Sequence, residues 1–417
     1  MGSNPISRSI FYKNKLRIKI NIFIEEELKI RTAKRIQNVP PYLFSEIDKK
    51  KNKLRAEGRD LIDFGIGDPD LPTPMFVVNA MKEFVEDPRN HRYPPYEGTY
   101  SFRKTISEWF LKRFNVSLDP DKEVMALIGS KEGIAHIPFS FVDEGDYTLV
   151  PNPSYPVYNV ATILAGGTPY FMPINEENNF LPEFEKIPVE ILEKTKILFL
   201  NYPNNPTGAV ANLEFFEKAV YYAKKYDFLI CHDMAYSEMT YDNYVSPSLL
   251  QIDGAKEVSV EFHSLSKMFN MTGWRVGFVV GSSEAIKALG IIKTNVDSGL
   301  FVAIQQASEV ALRDDSNFIA KMNNIYVRRR DLLVNGLKSL GSDIKPPKGS
   351  FYLWVKTPKD FDASSFTERL ILETNIVVTP GSGYGSEGNK YVRFAITVSE
   401  DRIKEAIERM KSKSIQF

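Results

Sequence analysis

Short apolar runs recur along the middle of the chain, at Val124–Ile128, Thr148–Val150, Ile197–Leu200, Phe228–Cys231, Val258–Phe262 and Val276–Val280. Runs without polar alternation suit strands buried on both faces, as in a parallel sheet covered by helices. Amphipathic segments lie between them. In Leu213–Tyr226, Phe216, Ala219, Val220 and Ala223 recur at helical spacing. The pattern predicts an α/β fold with a mostly parallel central sheet over about residues 75–310. After Ser298 the texture changes. A long charged helix is expected over Ala303–Leu340, then a Pro/Gly segment at Pro346–Gly349, and strand-like pieces at Ser350–Val355, Ile376–Thr379 and Tyr391–Thr397. A final charged helix completes a smaller α+β domain. Asp68-Pro69-Asp70-Leu71-Pro72 reads as a crossover linker, so an N-terminal arm is expected to join that domain. The expected divisions are 1–72, 73–302 and 303–417.

Composition narrows the function without choosing it. A chain of 417 residues is expected to form two or three domains. Lys plus Arg equals Asp plus Glu, 53 against 53, so net charge points to neither a nucleic acid nor an acidic surface as partner. The single cysteine, Cys231, fits a reducing compartment and excludes a Cys-rich metal site. No apolar run approaches the ~20 residues that cross a bilayer, and Ile20–Ile24 is too short for a secretory core. The reading is cytoplasmic, with no membrane partner. His91, His136, His232 and His263 lack metal-ligand spacing and read as structural, and no metal is expected. Arg328-Arg329-Arg330 reads as a solvated helix face.

The candidate chemistry sits just after the apolar runs, where open α/β sheets bind ligands. Gly129-Ser130-Lys131-Glu132-Gly133 forms a small-residue turn into a helix, suited to a phosphate or to nothing at all. Asn201–Gly208 holds two prolines that fix the backbone and asparagines that could face a ligand oxygen, though all are also turn formers. Asp233 precedes Tyr236 by three residues, so carboxylate and phenol could meet one ligand; a helix cap is the plainer alternative for Asp233 alone. His263–Gly277 carries Lys267 between apolar stretches, with Ser264 before it and Arg275 after. Apolar surroundings lower a lysine's pKa and make it a nucleophile toward carbonyls.

Asn-Pro-Thr-Gly, Asp-x-x-Tyr, Ser-x-Ser-Lys and Gly-x-Arg stand in this order, and together they resemble the class I/II aminotransferases of the type I pyridoxal-phosphate-dependent transferase fold. The resemblance runs from about Ile30 to the C-terminus. It implies that Lys267 holds pyridoxal 5′-phosphate as a Schiff base and later moves the substrate proton. Asp233 would pair with the ring nitrogen, Asn205 and Tyr236 would bond the 3-oxygen, and Tyr155 would stack on the ring. Ser130, Lys131, Ser264 and Arg275 would hold the phosphate. Arg393 would take the substrate carboxylate, and Gly67 would line the substrate side. Tyr93, in a Tyr-x4-Gly motif, would reach the phosphate of a second subunit, which implies a homodimer with shared sites. Arg35–Phe44, Gly129–His136 and Asn201–Val210 look especially like LL-diaminopimelate aminotransferases, whose amino-acid and 2-oxo-acid substrates belong to lysine biosynthesis. Tyr96 or Glu97 would then read the distal end of the substrate; Glu97 could equally cap the next helix. A broader aspartate, alanine or aromatic aminotransferase would use the same cofactor residues.

Overall fold

The computed structural model describes residues 32–40 and 43–417 of this protein. Residues 1–31 of the expected N-terminal arm, including Ile20–Ile24, lie outside them, as do Pro41 and Tyr42 in the Arg35–Phe44 motif. Met1–Val39 and Pro40–Phe417 are separate units, and all that follows concerns the second.

Twelve strands follow in chain order: β1 Ile62–Asp63, β2 Val124–Leu127, β3 Tyr147–Asn152, β4 Thr168–Pro173, β5 Thr195–Asn201, β6 Leu229–Asp233, β7 Ser259–Ser264, β8 Gly277–Gly281, β9 Tyr352–Lys356, β10 Ile376–Val377, β11 Thr379–Pro380 and β12 Tyr391–Ala395. Seven of them form one sheet in the order β2-β8-β7-β6-β5-β3-β4. Only β8 runs against its neighbours, β2 and β7. Successive side chains alternate between the faces, and both faces are covered. Leu198, Leu200, Ile230, Phe278 and Val280 pack into one core, whereas Ile197, Phe199, Cys231, Val260 and Val279 pack into the other. That is why these strands read as unbroken apolar runs. The strand β4 went unseen because only Met172 of its six residues is fully buried.

A third core gathers around the three-stranded antiparallel sheet β11-β12-β9, with Phe64, Leu333, Leu337, Phe351, Leu353, Val392, Phe394 and Ile403. The expected strand Ile376–Thr379 is two strands. β10 pairs with β1, and β11 pairs with β12, so the chain changes sheets at Val378. Phe64 follows β1 and is held on both sides. Its N–H donates to Val377 O and its carbonyl accepts from Ala395 N–H, each at 2.8 Å.

The long charged helix is also two, Val302–Leu312 and Phe318–Ser339. Asn317 takes a left-handed conformation at the break (φ 59°), and the Asp314 carboxylate accepts from Ser316 N–H and Phe318 N–H. An aspartate bonding to nearby backbone competes with helical continuation. The Arg328–Arg330 run is not a solvated face. Arg328 is exposed, but Arg329 and Arg330 are 6% and 3% exposed. Arg329 makes a two-pronged pair with Asp70 (2.7 and 2.9 Å), and Arg330 makes one with Asp242 (2.7 and 2.9 Å). Each partner stands far away in sequence, so the run alone carried no sign of them. Among the described residues, no helix is long and apolar enough to cross a membrane.

Candidate active site

The sheet topology sends six chain segments to one edge. Strands β2, β3, β5, β6 and β7 all end there, and antiparallel β8 begins there, with Leu127 and Ser264 both opposite Gly277. Just beyond lie Ser130, Tyr155, Asn205, Asp233, Ser264 with Lys267, and Arg275. All of these line one cavity of about 460 Å³, together with Gly67, Lys131, Tyr236 and Arg393. The sequence-expected residues absent from it are Tyr93, Tyr96 and Glu97. Tyr93 is 89% exposed, while Tyr96 and Glu97 line a separate groove with Met125, Lys287 and Lys293. Glu97 does not cap the following helix. Thr99 does, its hydroxyl accepting from Phe102 N–H, while Glu97 lends its carbonyl to Ala126 N–H.

Three lysines line the cavity, and their surroundings differ. Lys51 pairs with Asp63 at 3.0 Å. Lys131 lies over the Tyr155 ring, its pKa lowered by burial and by nearby Arg275. Lys267 is pushed down to about 8, chiefly by burial, with Asp68 opposing the shift. Its Nζ donates to Gly67 O at 3.0 Å and sits 5.4 Å from the Phe351 ring centroid. A large fraction of Lys267 is therefore neutral near pH 8, the state in which an amine attacks a carbonyl.

Asp233 is buried, which raises its pKa. Opposing bonds come from Tyr158 Oη (2.9 Å) and Ala235 N–H (3.2 Å). No helix follows it, so it is not the helix cap that its sequence also allowed. Tyr158 itself stacks on Phe199 at 5.1 Å between centroids. Tyr158 carries no local signature of this partnership, since it reads like any aromatic on an apolar helix. Asn201 ties two strand ends together, donating to Asp233 O and accepting from Asn205 N–H, each at 2.8 Å.

Arg393 lies mid-strand in β12 and is 2% exposed. It donates to Asn205 Oδ1 (2.9 Å), Gly65 O (2.9 Å) and, more weakly, Thr379 Oγ1 (3.5 Å). The guanidinium lies 4.0 Å from the Tyr352 ring centroid, and its Nε has no hydrogen-bond partner among the described residues. Tyr352, in turn, shares a hydrogen bond with Tyr236 (3.0 Å). A buried cation held only by neutral oxygens is expensive unless an anion joins it.

The cavity fits the pyridoxal phosphate that the motifs imply. Lys131 and Arg275 bring two like charges to one corner beside Ser130 and Ser264, an arrangement that an anion relieves. A Cβ at Gly129, where φ is +78°, would collide with the Arg275 guanidinium, so glycine keeps that corner open. Asp233 adds a buried carboxylate to the same cavity. No group of three or more metal-ligating side chains occurs among the described residues. His232 and His263 instead flank the buried Glu261.

The family model for aminotransferase class I and II matches residues 59–410. An LL-diaminopimelate aminotransferase of Halothermothrix orenii is 53% identical over 388 residues, 93% of this chain and all of that protein. An LL-diaminopimelate aminotransferase 2 of a Nostoc species is 52% identical over 386 residues, covering 92% of this chain and 99% of that one. Among solved structures, substrate-bound BacF from Bacillus subtilis superposes with a TM-score of 0.90 at 35% identity, over 93% of this chain and 98% of that chain.

Proposed function

The chain belongs to the class I and II aminotransferases, enzymes of the type I fold that depend on pyridoxal 5′-phosphate, and from that premise we propose that it moves an amino group between LL-diaminopimelate and 2-oxoglutarate. In the biosynthetic direction it would make LL-diaminopimelate from tetrahydrodipicolinate and glutamate, a step of lysine biosynthesis. The observation that carries the reaction type is the convergence of Lys267, Asp233 and Arg393 on one cavity. Identity near 50% over almost the whole length of two LL-diaminopimelate aminotransferases supports the substrate.

Ser130, Lys131, Ser264 and Arg275 hold the cofactor's phosphate in this reading, and Asp233 faces its ring nitrogen. Bound there, pyridoxal phosphate supplies a carbonyl for the substrate amine and an electron sink for the Cα–H bond to be broken. Tyr158 keeps Asp233 anionic by donating to it, against the cost of burial. Asn205 lends its Oδ1 to Arg393, which leaves its amide N–H groups for the cofactor's 3-oxygen beside Tyr236. Arg393 grips the substrate carboxylate through paired N–H donors and so turns the Cα–H bond toward Lys267. The Nζ of Lys267, neutral in much of the population near pH 8, would take the proton from the substrate Cα and later give it back.

Two copies share their sites in this reading, with the exposed Tyr93 reaching the partner's phosphate and Tyr96 or Glu97 meeting the distal end of the substrate. In this reading most of the cofactor contacts come from residues 73–302, while residues 303–417 and 43–72 supply Arg393 and Gly67 to the substrate side. A cytoplasmic setting fits the one buried cysteine.

The test is a half-reaction screen of the holoenzyme, following cofactor absorbance with LL-diaminopimelate, glutamate, aspartate, alanine and phenylalanine. Rapid conversion by LL-diaminopimelate and glutamate is expected. Conversion by aspartate or phenylalanine without LL-diaminopimelate would overturn the substrate and keep the chemistry.

A further inference from the structure

The strap Phe64–Asp70 presents backbone carbonyls to the arginine and the lysine on which the proposed reaction depends. Gly65 O accepts from Arg393 at 2.9 Å, and Gly67 O accepts from Lys267 at 3.0 Å. Glycine has no side chain to anchor its peptide, so Gly65 is placed by its bonds. Its N–H donates to Asp63 Oδ1 at 2.9 Å, and its carbonyl also accepts from Thr379 Oγ1 at 3.1 Å. The other oxygen of Asp63 faces Lys51 Nζ at 3.0 Å, with Arg55 farther off at 3.7 Å. Lys51 comes from the helix Leu43–Ala56, is 5% exposed, and lines the same cavity, whereas Arg55 is largely in solvent.

We infer that Lys51 is a positioning residue for the substrate carboxylate, acting through Asp63 and the Gly65 peptide on Arg393. The inference rests on the reading of Arg393 as the carboxylate's receiver. Arg393 is held by neutral oxygens alone, so the plane of its guanidinium follows where those oxygens are fixed. A two-pronged carboxylate contact needs that plane aligned. Without Lys51, the largely buried Asp63 carboxylate keeps only Arg55 as counter-charge, half-exposed and 3.7 Å away. It then turns toward water. The Gly65 N–H loses its fixed acceptor, and the Arg393 fork loses one side of its frame.

The test uses the holoenzyme with Lys51→Met and Lys51→Arg, measuring the half-reaction and its inhibition by propionate and by glutarate. Lys51→Met is expected to retain cofactor absorbance and to raise KM on the order of tenfold or more with kcat little changed, because uniform carboxylate binding is what is lost. Both inhibitors should weaken by the same factor, and Lys51→Arg should recover most of the loss. If Lys51→Met does not fold, Asp63→Ala is measured in its place, with the same common weakening expected. Unchanged KM and inhibition would overturn the inference. So would weakening confined to glutarate, which would make Lys51 a direct ligand of a second carboxylate. Arg393→Lys in the same assay reports on the underlying reading: if it leaves both inhibitors unaffected, that reading fails. If it weakens both while Lys51→Met does not, only the positioning role fails.

Discussion

Two charges lie deep in this protein, and their surroundings are opposite. Glu261, on β7, is fully buried and well supplied. His232 Nδ1 stands at 3.1 Å and His263 Nε2 at 3.5 Å, Ser248 Oγ donates at 2.7 Å and Leu249 N–H at 2.7 Å. Arg393 is almost as deep, yet its partners are neutral oxygens, its Nε is unmatched among the described residues, and it faces a cavity. A buried charge surrounded by its own donors ties strand, loop and helix together. One left with spare capacity beside a cavity waits for a ligand. Burial alone does not separate structure from function, but the completeness of the partner set does.

The largest expected effect comes from Arg393→Gln. Losing one partner of a buried charge pair typically costs about 2–5 kcal/mol, which corresponds to a fall in kcat/KM of roughly thirtyfold to several thousandfold. The melting temperature should change little, because Arg393 has no charged partner among the described residues. A large loss of stability with ordinary kinetics would erase the contrast with Glu261.

Glu261→Gln should do the reverse, removing about 3 kcal/mol of stability while the kinetics of the folded enzyme stay near normal. The pH dependence has a definite sign. Burial pushes the Glu261 carboxyl up, but the two histidines outweigh it and hold it at about 2, below the ordinary carboxylate value. Its contribution to stability is therefore complete above about pH 4.5 and is lost as pH falls toward about 2. Acid unfolding followed by circular dichroism should be steeper in the parent than in Glu261→Gln. Matching acid limbs would mean that Glu261 is not held this way.

The effect at Lys267 is smaller and follows pH upward. Cofactor-free protein should capture added pyridoxal phosphate faster as pH rises, by about tenfold per unit well below the pKa, levelling off above about 8. A plateau only above pH 10 would mean that burial does not shift this lysine. Smallest is Tyr158→Phe, which removes one hydrogen bond to Asp233. The expected cost is about 1–2 kcal/mol, read as a roughly fivefold to thirtyfold weaker hold on the cofactor with the fold intact.

Most of the site residues nearest the sheet were legible in the sequence, because each follows an apolar strand and the topology delivers those strand ends together. Lys267, Asp233, Asn205 and Arg275 were found that way. Tyr158 and Tyr352 were not, since an aromatic that bonds a carboxylate or covers an arginine has the same local signature as one that fills a core. Lys51 escaped for another reason: its consequence runs through Asp63 and Gly65 to a strand more than three hundred positions later, and no local pattern encodes that path. The second sheet was read in outline but its break at Val378 was missed, because a continuous apolar run does not say which neighbour each half will pair with.

The most direct measurement is borohydride reduction of the holoenzyme followed by peptide mass spectrometry, because three lysines line the cavity and only one is expected to bear the cofactor. Reduction fixes the cofactor to the amine that holds it. A single pyridoxyl group on Lys267, absent in Lys267→Ala, is the predicted result. A label on Lys131 or Lys51 in the parent protein, or none at all, would contradict it.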